Sequence, residues 1–193
     1  MSKGILFVLT GPSGVGKGTV LTEVRKQREL YFSISATTRK PREGEQDGVH
    51  YYFLTREEFE QKVAQNGFLE HAEFSGNCYG TPAAPVDAML KEGKDVLLEI
   101  EVQGAMQVHD IRKDAVRIFI APPSFAELEK RLTGRGTEDE ATVHRRLETA
   151  KHELTLAHDF DYIVVNDTVE QAVSDVLAIM QAETCRAARV EVK

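Results

Sequence analysis

The chain has 193 residues, 41% of them hydrophobic and 28% charged, and its 24 Lys and Arg against 31 Asp and Glu leave a formal net charge of −7. That length suits one domain with a sizeable core and room for an inserted subdomain. The acidic balance argues against nucleic-acid binding, no apolar stretch approaches membrane-spanning length, and the two distant cysteines, Cys78 and Cys185, offer no disulfide framework. A cytoplasmic protein with no nucleic-acid or membrane partner is the expectation.

In chain order, the first apolar run, Ile5–Leu9, is too short for a secretory leader and reads as a buried strand. It leads directly into Gly11, Pro12, Ser13, Gly14, Val15, Gly16, Lys17, Gly18 and Thr19. Strand, glycine-rich loop and helix start in this order set backbone N–H groups and one lysine around a nucleotide's phosphates. An ordinary glycine-rich turn is the competing reading, and the preceding strand with the lysine in register favours the phosphate loop. The hydroxyl such loops carry after the lysine is missing, because residue 18 is glycine; Thr19 is the next one.

Further runs at Ser33–Ala36, Val96–Glu101, Val116–Ala121 and Tyr162–Val165 alternate with helical patterns. This predicts a three-layer α/β/α fold on a five-stranded, mostly parallel sheet. Capping patterns at Thr55-x-x-Glu58, Ser124-x-x-Glu127, Thr137-x-x-Glu140 and Thr168-x-x-Gln171 mark helix starts, and Gly93 ends a helix beginning near Pro85. Two stretches break the alternation. Thr37–Thr81, with strand-like pieces at Val49–Leu54 and Phe68–Phe74, reads as an insertion beside the sheet, and the arginine-dense Arg131–Arg146 as a cover over the phosphate loop. The six histidines show no metal spacing: His152-Glu153 is followed by His158, which breaks the zinc-protease pattern.

Arg39 and Arg42 flank the stiffening Pro41, and two guanidinium forks held close together grip a dianionic phosphate through paired hydrogen bonds. Tyr51 and Tyr79 offer hydroxyl donors to the same group. A solvated basic patch accounts for the arginines alone equally well. Glu99 and Glu101 end an apolar strand, where carboxylates beside a phosphate loop order Mg²⁺ and its waters, or else face solvent as charged tips.

The phosphate loop, Ser33-Ile-Ser-Ala-Thr-Thr-Arg-Lys-Pro-Arg-Glu-Gly-Glu45, Phe68-Leu-Glu-His-Ala-Glu-Phe-Ser-Gly-Asn-Cys-Tyr-Gly-Thr81 and Leu98-Glu-Ile-Glu-Val-Gln-Gly-Ala105 occur in one order, and together they resemble the guanylate kinases, specifically the compact bacterial type. The resemblance covers about residues 4–182. It implies a phosphate-loop nucleoside monophosphate kinase with a core (4–34, 82–125 and 147–193), a GMP-binding insertion (35–81) and a short helical lid (126–146). The implied activity is transfer of the terminal phosphoryl group of ATP, with Mg²⁺, to GMP, giving ADP and GDP.

Carried onto this chain, the resemblance implies that residues 11–19 with Arg131 and Asn166 hold ATP. It implies that Arg39, Arg42, Tyr51 and Tyr79 hold the phosphate of GMP, with Glu45 supporting the arginines. Ser35, Glu70 and Thr81 read the guanine base, and Gly80, Glu99 and Glu101 also belong to the implied GMP site. A carboxylate at Glu70 accepts the two N–H donors on guanine's pairing edge, whereas adenine presents a lone pair there. Lys17, Arg42, Arg135 and Arg146 are the implied catalytic cations. No direct metal ligand is assigned; Glu99 and Thr19 are candidates acting through water. For Asn166-Asp167, capping of the last helix by Asp167 is an equally good account. Two other readings are a catalytically idle guanylate kinase-like interaction module, which has no need of the loop or the arginines, and a kinase for another monophosphate, which Glu70 with Ser35 and Thr81 argues against. Oligomeric state and the choice between GMP and dGMP are left open.

Overall fold

The computed structural model describes residues 3–134 and 140–190. Its strands are β1 (Leu6–Thr10), β2 (Tyr31–Phe32), β3 (Ala36–Thr37), β4 (Tyr52–Phe53), β5 (Phe68–Phe74), β6 (Asn77–Pro82), β7 (Val96–Glu99), β8 (Val116–Ala121) and β9 (Tyr162–Val165). Its helices are α1 (Lys17–Gln27), α2 (Arg56–Ala64), α3 (Ala83–Lys91), α4 (Val102–Ile111), α5 (Phe125–Thr133), α6 (Glu140–Thr155) and α7 (Val169–Thr184).

β1 is buried at every position, and its alternate side chains leave for opposite faces of the sheet. Phe7 and Leu9 enter one core with Val20, Leu21 and Val24 of α1 and Val173, Val176 and Met180 of α7. Leu6 and Val8 enter the other with Val86 and Leu90 of α3 and Val102, Ala105 and Val108 of α4. The sheet between these layers is parallel throughout, in the order β2-β7-β1-β8-β9. This is the three-layer α/β/α arrangement that the alternating runs predict.

A second sheet, ordered β4-β3-β6-β5, is built from residues 36–82. One face packs on α2 through Ala36, Phe59, Phe68 and Cys78, with the Phe59 and Phe68 rings stacked at 4.4 Å. The β5–β6 hairpin turns through Ser75 (φ 50°) and Gly76 (φ 76°), the left-handed pair that a tight hairpin requires. A bulge between Phe68 and Glu70 resets the register, and Leu69 goes into the core shared with α3 and α4.

Several predicted boundaries move. Ser33–Ala36 is not a strand of the main sheet: Tyr31–Phe32 pairs with β7, Ser33 makes the last bond of that ladder to Leu97, and Ala36 already belongs to the second sheet. Of Val49–Leu54 only Tyr52–Phe53 is strand, because its partner β3 is itself two residues long. β7 stops at Glu99, so Glu101 is the N-cap of α4 rather than a strand tip. α3 begins at Ala83, two residues before Pro85, which its first turn tolerates for want of N–H partners there. Thr168, not Asp167, caps α7, its hydroxyl accepting the Gln171 N–H. Thr55 and Glu58 form the full reciprocal box, whereas Ser124 contributes its hydroxyl only. The pattern at Thr137 and the lid residue Arg135 lie outside the described residues.

Candidate active site

The loop after β1 needs its glycines. Gly11, Gly14 and Gly16 have φ of 147°, 84° and 96°. A Cβ on Gly16 would stand 2.6 Å from Nδ2 of Asn166, and one on Gly11 would stand 2.2 Å from the Ile120 carbonyl oxygen. Asn166, buried at the end of β9, donates to the Val15 carbonyl at 2.7 Å. Arg131 donates to the carbonyls of Asn166 (3.2 Å) and Val15 (3.5 Å), and Glu127 steadies it. Both residues therefore brace the loop from behind. The loop, the start of α1 and Glu99 line a cleft of about 240 Å³, onto which the N-terminus of α1 opens. A groove of about 330 Å³ on the flank, between α1 and α7, lies away from these groups.

Lys17 Nζ donates to the Gly11 and Pro12 carbonyls, spanning the mouth of the loop. Arg146 reaches from α6 and donates to Ser13 Oγ at 2.6 Å. Position 18 is open, with nothing within 4 Å of where a Cβ would stand, and Thr19 is exposed. Glu99 is solvent-accessible, yet the surrounding protein desolvates its carboxylate enough to raise its pKa, an effect that Lys17 and Arg25 oppose and Glu101 reinforces.

Glu153 of α6 has no role in any sequence motif that holds. It is half-buried, and burial together with Glu101 pushes its carboxyl up to about 7 against the opposing pull of Lys17. The available signal is helical spacing: Arg146, Ala150 and Glu153 share one face of α6, and Ala150 is buried.

The second sheet presents its other face as a polar row. β3 pairs Ala36 with Gly80 and Thr37 with Tyr79, and β5 pairs Glu70 with Thr81. Extending that register by one residue puts Ser35 opposite Thr81, so Ser35, Thr81, Tyr79 and Glu70 share a face, while Ala36 and Cys78 turn into the apolar cluster under α2. Thr81 Oγ1 donates to Glu70 Oε1 at 2.6 Å, which spends its one proton and leaves its lone pairs as acceptors. Glu70 is 9% exposed; burial raises its pKa, Thr81 pulls it back and Glu101 adds to the rise.

At the far end of the row, Glu45 accepts from the Arg39 guanidinium at 2.9 Å and from the Arg42 N–H at 2.7 Å. These bonds, Arg39 first, lower the Glu45 carboxyl to about 2. Arg39 also lies over the Tyr51 ring at 5.5 Å, and Tyr51 meets Tyr79 edge-on at 6.4 Å. The Arg42 side chain is exposed and makes no hydrogen bond among the described residues. The arrangement holds Arg39 against Glu45 and leaves the Arg42 side chain extended into solvent.

Among the described residues no three His, Cys, Asp or Glu converge as a metal cage. Glu99 and the Thr19 hydroxyl, with glycine at 18, suit a cation held by nucleotide oxygens and water, with protein groups in the outer layer.

The guanylate kinase family model matches residues 3–183. A guanylate kinase of Thermus thermophilus is 55% identical over 188 residues, covering 97% of this chain and 86% of that protein. One from Latilactobacillus sakei is 50% identical over 191 residues, covering 98% and 94%. The crystal structure of guanylate kinase from Anaplasma phagocytophilum superposes with a TM-score of 0.76 at 34% identity, covering 97% of this chain and 90% of that one. With the family model matched over residues 3–183 and relatives at 50–55% identity over nearly the whole chain, the chain belongs to the guanylate kinase family.

Proposed function

We propose that this chain transfers the terminal phosphoryl group of ATP to GMP, giving ADP and GDP. The observation that carries the reading is the polar row of the second sheet, which runs from the arginine–carboxylate cluster at Arg39–Glu45 to a buried carboxylate at Glu70. Guanine offers Glu70 two adjacent N–H donors, and Ser35 remains to donate to its carbonyl. Thr81 orients the carboxylate and accepts, rather than donating to the base. The acceptor phosphate is largely dianionic at neutral pH, so no general base is required. One of its oxygens bonds to the γ-phosphorus as the bond to the ADP oxygen breaks. The protein's work is to align the two phosphates and neutralise charge as it shifts.

In this reading residues 35–81 are the GMP-binding insertion, and the arginine-rich stretch 126–146 is the lid over a core of 4–34, 82–125 and 147–193. The loop amides and Lys17 hold the β- and γ-phosphates, and Arg39, Arg42, Tyr51 and Tyr79 hold GMP. Arg146, with Arg135, supplies charge at the transferred group. Arg131 and Asn166 act by keeping the loop in shape. Mg²⁺ bound with ATP would neutralise phosphate charge, and Glu99 and Thr19 would hold it through ordered water. Glu101, at the N-cap of α4, borders both nucleotides. No helix among the described residues is long and apolar enough to cross a membrane. The phosphate loop, complete apart from Gly18, and the arginine set favour catalysis over an interaction module.

Lys17→Ala tests the assignment. ADP release from ATP and GMP should fall by ~10³-fold or more, because Lys17 is the loop's own phosphate cation. GMP binding measured by calorimetry should persist. Undiminished turnover in that variant refutes the loop's role.

A further inference from the structure

α4 carries a glycine where helix propensity favours alanine. Gly104 lies in the first turn of the helix, is buried, and has no left-handed backbone angle that would require glycine. Its missing side chain has a neighbour. A Cβ there would stand 2.8 Å from Oε2 of Glu70, 3.2 Å from its Cδ and 3.3 Å from its Cγ. The other carboxylate oxygen, Oε1, takes the Thr81 hydroxyl at 2.6 Å. The carboxylate is therefore seated between a hydroxyl on one side and bare helix backbone on the other.

One turn further along α4, Gln107 makes a two-way amide clip with the residue after Glu70. The His71 N–H donates to Gln107 Oε1 at 3.1 Å, and Gln107 Nε2 donates to the His71 carbonyl at 3.0 Å. This is the pair of bonds a neighbouring strand would make, and it closes the outer edge of β5 just beyond the Leu69 bulge. Gly104 thus faces the Glu70 carboxylate itself, and Gln107 holds the backbone of the residue that follows it.

We propose that Gly104 and Gln107 are positioning residues for base selection, holding the Glu70 carboxylate at the depth and angle at which it spans both N–H donors of guanine. The proposal rests on the reading of Glu70 as the base reader. Alanine at 104 moves Oε2 from 2.8 Å to at least the 3.4 Å where ordinary contact begins, a displacement of about 0.6 Å. That suffices to lose the second of two parallel hydrogen bonds while leaving the first.

The test compares kcat/KM for GMP with that for IMP, which lacks the 2-amino group, in Gly104→Ala, Gln107→Ala and Glu70→Ala. In Gly104→Ala the GMP-to-IMP ratio and the GMP affinity should each fall by about tenfold, since misplacements approaching 1 Å at a reacting pair cost up to ~10²-fold. The KM for ATP should be unchanged, and so should helicity, because alanine is the better helix former. Gln107→Ala should lower the ratio in the same direction and carries the test alone if Gly104→Ala does not fold. A merely structural role for α4 would move melting temperature without moving the ratio. A folded Gly104→Ala or Gln107→Ala with the wild-type ratio, set against a lowered ratio in Glu70→Ala, overturns the positioning role. An unchanged ratio in Glu70→Ala removes the base reader itself and this proposal with it.

Discussion

Thr81→Val removes one atom's worth of chemistry from the centre of the site. Valine keeps the shape and the β-branch that suit a strand, so the sheet is not asked to repack. What is lost is the 2.6 Å bond from Thr81 Oγ1 to Glu70 Oε1, between groups with 0% and 9% exposure. A buried hydrogen bond to an ionised partner contributes about 2 kcal/mol, and at roughly 2–4 °C per kcal/mol for a chain of this size the melting temperature falls by about 4–8 °C. The loss depends on pH. Burial raises the Glu70 pKa in the folded protein, and Thr81 is the main opposing influence. Between the unfolded and folded pKa the folded state binds more protons, so stability drops as pH rises through that window. Removing Thr81 lifts the folded pKa further and deepens the drop. Differential scanning fluorimetry at pH 5 and pH 8 should therefore show a larger deficit for the variant at pH 8. A deficit that is equal at both, or larger at pH 5, refutes the view that Thr81 serves an ionised Glu70.

Arg42→Ala should raise the apparent KM for GMP by roughly tenfold to a hundredfold, the range for lost charge-assisted hydrogen bonds, with the KM for ATP little changed. A defect confined to ATP in steady-state assays would contradict the site map. Glu153→Gln removes a half-buried carboxyl whose pKa is pushed up to about 7, so the folded state loses stability as pH rises from the ordinary carboxylate range to about 7. The variant should gain melting temperature relative to wild type at pH 8 and less at pH 5. The same difference at both would show that Glu153 is not desolvated in the folded chain.

What the sequence discloses, and what it hides, follows from whether a feature is local. The phosphate loop is legible because its glycines answer local backbone needs, with φ of 147°, 84° and 96° at Gly11, Gly14 and Gly16. β8 is legible because it is buried at all six positions, so its run is apolar apart from Arg117. β2 is two residues paired with β7, too short a run for a periodic pattern to announce it. β6 contains Gly80 and ends in Pro82, both poor strand formers, and is imposed by its pairing in the hairpin. Glu70, the proposed base reader, is found through its motif, whereas Gly104, which gives it room, and Gln107, which clips its strand, meet it only once α4 is docked. Glu153 is one glutamate on a polar helix, and its unusual surroundings exist only in three dimensions.

The central claim is tested most directly by measuring ADP release in a coupled assay with ATP, Mg²⁺ and each of GMP, AMP, CMP and UMP at equal concentration. A site that pairs a buried carboxylate with guanine's donors should turn over GMP ~10⁴-fold more efficiently than AMP, because the wrong base leaves that carboxylate unpaired. Comparable turnover of AMP, or none with GMP, would contradict the account.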